Sequence, residues 1–589
     1  MRLRSSVAAG LAALATLVVY AADLPKQVSS DVQIRAMQDE LARSKSLTLS
    51  NLDKPYFIQY TTSDTREFTA TGSLGGLIAA TTAHVRQPRI EVRVGGYEFD
   101  NTNSVYSGMT NFGLFPLDDN YAAMRSVLWL TTDSVYKNAA DQISRKRTAL
   151  HEIADPDKTP DFAPAKPVQV IESTPSLKMD GQLWQDLVRK LSATFASHES
   201  ITASQVRFRT ISSTYRLVNT EGTTLRVPQQ LSDVSITASA LAPDGSRVWN
   251  HRFLTGLIPS HLPDSEVLQS IARNTAEETE LLLKAPKGEE YAGPVLFEGE
   301  AAAQMLAQVL TDALRLPRKP LAPPGSNSPA AQMIDSVWAT RLNSKVVPEW
   351  VSMVDDPTQE TFEGAALAGR YRVDDEGVPV ERLVLVDKGV LKGFLLSRQP
   401  VRKFIGSNGH GRLPGRFGGE EAVIGNLFVE AQGGVPEEQL RQRLIERVNS
   451  AGLKYGLIVR RLDFPSTSNF QELQSFARQM QKSGFSRTLN APLLAYKVYP
   501  NGREELVRNL RFGEFSAKDL RDIAAVSNRR YVLNYVTNGT SLNLADSGGG
   551  ATTSSVIAPS MLFDSVDLAP AEDDAGRLPA VPPPTFVTP

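Results

Sequence analysis

Two periods alternate along the chain. DVQIRAMQDELARSK (Asp31–Lys45) and Leu183–Ser197 carry apolar residues at helical spacing and read as amphipathic helices. Asn120–Ala154, rich in Ala, Arg, Lys and Leu, reads as one long or broken helix, and Asp264–Lys284 as another. Tyr56–Thr65, Gly72–Ala80 and Pro88–Phe99 alternate or carry β-branched runs, which predicts strands. Gln205–Leu254 reads as a β meander, turning at Glu221-Gly222 and at Pro243-Asp244-Gly245. ADPDKTPDFAPAKP (Ala154–Pro167) is predicted to be an exposed connection.

A second unit begins near Tyr291 with a helix that runs into the proline-rich LPRKPLAPPGSNSPAA (Leu316–Ala331). Two hairpins follow, turning at Asp387-Lys388-Gly389 and at Asn501-Gly502 between runs of period two. A glycine- and serine-rich loop, Asn538–Ser555, precedes the last strand, and the proline-rich end of the chain predicts disorder. The expected organisation is α+β: an N-terminal α+β domain over 30–288, a β-rich domain over 291–568 and a tail over 569–589.

Composition narrows the function classes. At 589 residues the chain exceeds one ordinary core. Its 41% apolar content suits a folded protein, and a net charge of -2 disfavours nucleic-acid binding through a basic surface. The opening MRLR, an apolar alanine-rich run and small residues up to Ala21 predict a secretory signal peptide over 1–21. That run is short for a bilayer span, which needs about 20 residues. The expected location is therefore periplasmic or secreted, with no membrane attachment after cleavage. With no cysteine in the chain, packing alone must stabilise it.

On YAGPVLFEGEAAAQMLAQVLTDAL (Tyr291–Leu314), the polar residues Gln304, Gln308, Thr311 and Asp312 repeat at i, i+4, i+7 and i+8. That stripe faces either solvent, the commoner case, or a cleft. Glu300, just before it, suits the helix N-terminus. His410, in SNGHGR, sits among glycines that permit close backbone approach; a loop hydrogen bond is its commoner role. Asp374, Asp375 and Glu376 lack the ligand pattern of a calcium loop and read as a turn between strands. No GxSxG nucleophile motif and no GxxxxGK[ST] phosphate loop is present.

The Tyr291–Leu314 stretch resembles the metal-binding helix of the TldD/PmbA family of zinc metallopeptidases. Val373–Phe404, Ser407–Arg412, Pro492–Phe512 and Val556–Leu568 resemble that family's C-terminal half, and Lys54–Thr65 and Val92–Asn103 its N-terminal half. The resemblance implies the two-domain TldD/PmbA-like architecture. It also implies, for active members, an HExxxH motif whose imidazoles hold zinc, a glutamate that handles the proton of the attacking water, and a cysteine ligand. Here the motif positions are Ala307, Gln308 and Asp312, and no cysteine exists. Alanine has no lone pair to give, and an amide does not accept a proton near neutral pH.

The expectation is therefore a metal-free, non-catalytic chain with no cofactor, acting as a peptide-binding or partner subunit. Glu300, Gln304, Thr311 and His410 are its candidate cleft residues. The resemblance further implies a homodimer, or a heterodimer with a related chain, around a chamber that admits extended peptide. One rival is an active metallopeptidase recruiting His410, Asp312 and Glu300 as ligands. Another is a structural homodimer.

Overall fold

The structure, a computed structural model, describes residues 30–47, 52–107, 111–112, 114–153, 157–174, 179–242, 245–316, 318–326, 335–414, 417–464, 466, 489–537 and 552–571. The apolar opening, part of the proline-rich linker, residues 538–551 of the glycine- and serine-rich loop and the tail beyond 571 lie outside these residues.

The N-terminal half is one sheet with helices on one face. Its strands are β1 (Pro55–Ser73), β2 (Gly76–Val94), β3 (Asn111–Phe112), β4 (Gln169–Ile171), β5 (Ile201–Asn219), β6 (Thr224–Leu241) and β7 (Arg247–Gly256). They run in the order β3-β2-β1-β5-β6-β4, with β7 also on β6. Helices α1 (Val32–Ser44) and α2 (Tyr121–Leu150) cover one end of the face, and α3 (Gly181–Ala193) and α4 (Ser265–Lys284) the other. Side-chain alternation produces this segregation. Ile58, Tyr60, Ile90 and Val92 pack with Met37, Met124 and Leu128; Phe68, Ala70, Phe208 and Ile236 pack with Val188, Leu191 and Leu268. Asp31, Asn120, Asp180 and Asp264 cap the four helices by accepting backbone N–H bonds.

Where three strands are expected before residue 100, two long ones form, and the chain reverses inside the expected Gly72–Ala80 strand. Leu74 and Gly75 adopt left-handed φ values of 50° and 85°, which suits a tight hairpin. The threonine- and alanine-rich flanks give no apolar alternation that would have marked the reversal.

The C-terminal half is built on β8 (Tyr291–Phe297), β9 (Val351–Asp355), β10 (Thr361–Phe362), β11 (Ala365–Ala366), β12 (Leu383–Asp387), β13 (Val390–Leu391), β14 (Gly411–Pro414), β15 (Glu420–Ala422) and β16 (Asn426–Ala431). It continues with β17 (Gly456–Leu462), β18 (Pro492–Val498), β19 (Glu504–Val507), β20 (Leu510–Phe512), β21 (Ile523–Val536) and β22 (Thr553–Pro570). The large sheet runs β13-β12-β9-β16-β22-β8-β17-β18-β19, with β20 and β21 also on β22. Helix α5 (Glu300–Leu314) lies against one face, and α6 (Glu437–Ser450) covers the other through Leu440 and Leu444. Both expected hairpins form, β12–β13 and β18–β19. Lys388, Gly389 and Gly502 take positive φ in their turns.

α5 is the centre of the larger core. Ala301, Ala302, Ala303, Met305, Leu306, Ala307, Leu310, Ala313 and Leu314 are fully buried among strands and loops. No face of it is solvated: Gln304, Gln308 and Thr311 are 3%, 6% and 4% exposed. The amphipathic reading of this helix is thereby corrected. Gln304, Gln308 and Thr311 face protein backbone, which a 3.6-residue period cannot distinguish from water.

Arginines join the halves. The Phe162 ring lies between the guanidinium groups of Arg93 and Arg398, 3.7 and 4.0 Å from its centroid. Arg398 also donates to Ala163 O and to Glu221, and Arg93 to Gly418 O.

Candidate functional site

The α5 amides serve as backbone clamps. Gln304 Oε1 accepts from Leu462 N at the end of β17 (2.8 Å), while its Nε2 donates to Glu300 Oε1 (3.0 Å). Gln308 Oε1 accepts from Asn490 N, just ahead of β18 (3.0 Å), and its Nε2 donates to Gln304 O (3.2 Å). Each side chain offers an acceptor and a donor, and each partner demands that pairing. A carboxylate at 308 would still accept from Asn490 but would set its second oxygen against a carbonyl. Thr311 Oγ1 donates back to Ala307 O (2.6 Å), and Asp312 is half-buried.

At the head of α5, charges replace amides. Gly299, at a φ of 50°, precedes the helix, and its N–H donates to Ser560 Oγ (2.8 Å). Glu300 pairs with Arg252 of β7 (2.5 Å), joining the two halves. Arg461 of β17 is fully buried. It donates to both oxygens of Glu278 (2.9 and 2.8 Å), to Asn250 Oδ1 (2.9 Å) and to His251 O (3.2 Å). Burial, together with Arg252 nearby, pulls the Arg461 guanidinium below its ordinary value. The Glu300 carboxylate, and burial after it, push the Tyr531 phenol upward. His251 Nε2 stands 3.0 Å from Asp463 Oδ1, continuing the seam.

His410 is elsewhere, fully buried ahead of β14. Its Nδ1 lies 3.0 Å from Asn408 O and 2.9 Å from Asn408 Oδ1, and its Nε2 lies 3.4 Å from Asp355 Oδ1. This is the loop-residue role. Glu300 and Asp312 stand twelve residues apart on one helix, about 18 Å along its axis, and Glu300 is held by Arg252. The rival ligand set of His410, Asp312 and Glu300 therefore cannot meet at one ion. Among the described residues no three His, Asp or Glu side chains stand together as a metal site.

Asp374 organises the turn that its sequence suggested, accepting from Glu376 N, Val378 N and Gly411 N. Burial raises Asp374 to about 7 and Asp375 to about 6. Backbone amides take the place a hard cation would need.

Sequence reading missed Arg252, Glu278, Arg461, Asp463 and Tyr531. They come from four separate elements, and only the adjacent arginines Arg460-Arg461 inside an apolar strand gave a local signal.

With this geometry in place, residues 289–570 match the family described as PmbA/TldA metallopeptidase C-terminal domain. The fold and the helix at its centre are those of a metallopeptidase-like protein, and over residues 289–570 the chain is similar to the TldD/PmbA family's C-terminal domain. A metalloprotease of Methanothermobacter thermautotrophicus is 26% identical over 212 residues, covering 35% of this chain and 42% of that protein. A metalloprotease of Archaeoglobus fulgidus is 45% identical over 75 residues, 13% of this chain and 16% of that one. These alignments span less than half of the curated relatives they match.

Among solved structures, TldE from Thermococcus kodakarensis superposes with a TM-score of 0.55 at 14% identity, covering 91% of this chain and all (100%) of that one. A protein of Thermotoga maritima described as a modulator of a DNA gyrase gives a TM-score of 0.55 at 15% identity, covering 91% and 99%. At such identity these likenesses show the fold. The two-domain TldD/TldE-like α+β architecture is the one expected from sequence.

Proposed function

We propose that this chain is an exported, non-catalytic member of the TldD/PmbA family that binds extended peptide or completes an assembly of related chains. One observation carries the reading. At the three positions where the family resemblance implies ligands and base, this chain has a core alanine, an amide bonded to Asn490 N and Gln304 O, and an aspartate. Those residues do not fit zinc: one offers no donor atom, and the next is engaged at both ends by backbone. Main-chain hydrogen bonding along a sheet edge would serve an unfolded peptide without a metal and needs no catalytic side chain. The basic and then apolar opening of the sequence supports export.

Zinc analysis of the purified chain, alongside anisotropy of a labelled unstructured peptide, tests the proposal. Substoichiometric zinc with saturable, chelator-insensitive peptide binding is expected. Stoichiometric zinc with chelator-sensitive cleavage would reinstate the metallopeptidase reading, and no peptide binding together with pure self-association would favour a structural homodimer.

A further inference from the structure

We propose that the outer edge of β2 is where two copies of this chain pair, by antiparallel strand addition about a two-fold axis at Thr82. The inference rests on the assembly part of the proposed function and gives it a surface and a register.

β2 is nearly an outermost strand. β3 meets it only at Arg89 and Ile90, and the 114–118 loop meets it at Arg86, where Phe115 N donates to Arg86 O (3.2 Å). From Gly76 to Val85 no strand among the described residues pairs with its outer side. Ile78 is the extra residue of a bulge between the Thr71–Ala79 and Gly72–Leu77 pairs. Regular, unpaired strand therefore spans Ala79–Val85, and its middle residue is Thr82.

Arg86 turns its carbonyl outward to Phe115. Alternation along the strand turns the N–H and C=O groups of His84, Thr82 and Ala80 the same way. A two-fold at Thr82 sets Thr82 against its own copy and Ala80 against the partner's His84. Between these, Thr81 faces the partner's Ala83, and Ala79 the partner's Val85. No like charges oppose one another, and a threonine pair sits at the centre. An exposed edge this long, with no charge from Gly76 to Ala83, is left unguarded by the devices that normally prevent strand addition.

The flanks select a second copy over an extended peptide. The same register brings Ile78 opposite the partner's Arg86, beside which Leu114 and Leu117 lie. Ile78, Val85, Leu114 and Leu117 are 62%, 39%, 84% and 51% exposed. Pairing of two copies brings these apolar residues together at both ends of the seam. A bare peptide strand would leave them in water.

The chain contains no cysteine, so crosslinking is a clean test. Directly opposed, hydrogen-bonded residues lie about 5.5 Å apart between Cα atoms, inside the disulfide range of roughly 4.4–6.8 Å. The two copies of Ala80 would lie about 14 Å apart along the strand. In the full chain, Thr82→Cys is expected to give a covalent dimer on mild oxidation and Ala80→Cys is not. Thr82→Lys, at an exposed position that leaves the monomer folded, is expected to weaken dimerisation at least tenfold by analytical ultracentrifugation. A monomeric wild-type chain, or a dimer that ignores Thr82→Lys and crosslinks equally at both positions, would overturn the pairing. Neither result touches the zinc and peptide measurements, so failure here is separable from failure of the non-catalytic reading.

Discussion

The head and the body of α5 hold their surroundings by different chemistry. At its head Glu300 pairs with Arg252 across the boundary between the halves, beside the buried Arg461–Glu278 pair. In its body Gln304 and Gln308 hold backbone of the same half through neutral amides. Charges can lock two separately folded sheets in register, because a misplaced ion costs far more than a misplaced amide. Inside one core, neutral clamps achieve fixation without the desolvation cost of ions. Gln308 stands where the family resemblance implies the motif glutamate, and here it holds the segment ahead of β18.

The largest break in this comparison is Arg461→Ala. It takes the two-point guanidinium contact from Glu278, which keeps Asn250 Nδ2 and Arg252, and removes the donors to Asn250 Oδ1 and His251 O, so a loss of about 3 kcal/mol is expected, read by denaturant unfolding. A wild-type midpoint would show that the seam is not under load. Gln308→Ala removes the acceptor of Asn490 N and should cost about 1–3 kcal/mol, with faster amide exchange at Asn490. Gln308→Glu sharpens the point. Its carboxylate would face Gln304 O in a buried site, which raises its folded pKa. Stability should then be lost as pH rises through that pKa and recover on acidification, when the acid can donate. A pH-independent Gln308→Glu melt would refute the clamp.

Much of this fold was legible in sequence, and the reasons are local. The α1, α3 and α4 helices carry amphipathic patterns, and Asn501-Gly502 can scarcely be other than a hairpin turn. The β1–β2 reversal was not legible, because Thr- and Ala-rich strands carry little contrast between faces. The candidate site divides the same way. Ala307, Gln308 and Asp312 were visible as replacements because they fall within a contiguous motif. The partners that give them meaning were not. Leu462, Asn490 and Arg252 lie far from α5 in sequence, and a glutamine bonded to a backbone N–H looks identical in one dimension to a glutamine in water. His410 shows the converse: its glycine-rich setting attracted attention, yet the glycines serve a compact loop around a buried imidazole beside Asp355.

The gentlest perturbation is Glu300→Gln. Its pair with Arg252 is partly solvated, so the stability change should be only about 0.2–1 kcal/mol. The amide can still accept from Gln304, keeping the body of the helix intact. Tyr531 is the sensitive reporter, because the Glu300 carboxylate is the first cause of its raised pKa and burial the second. Neutralising residue 300 should therefore lower the Tyr531 titration, visible as an earlier phenolate absorbance step against a Tyr531→Phe control. Near-wild-type stability with a shifted tyrosine would establish that the head of α5 is electrostatically tuned without bearing much load. An unmoved tyrosine would mean that burial alone governs it, and the distinction between a charged head and a neutral body would lose its electrostatic half.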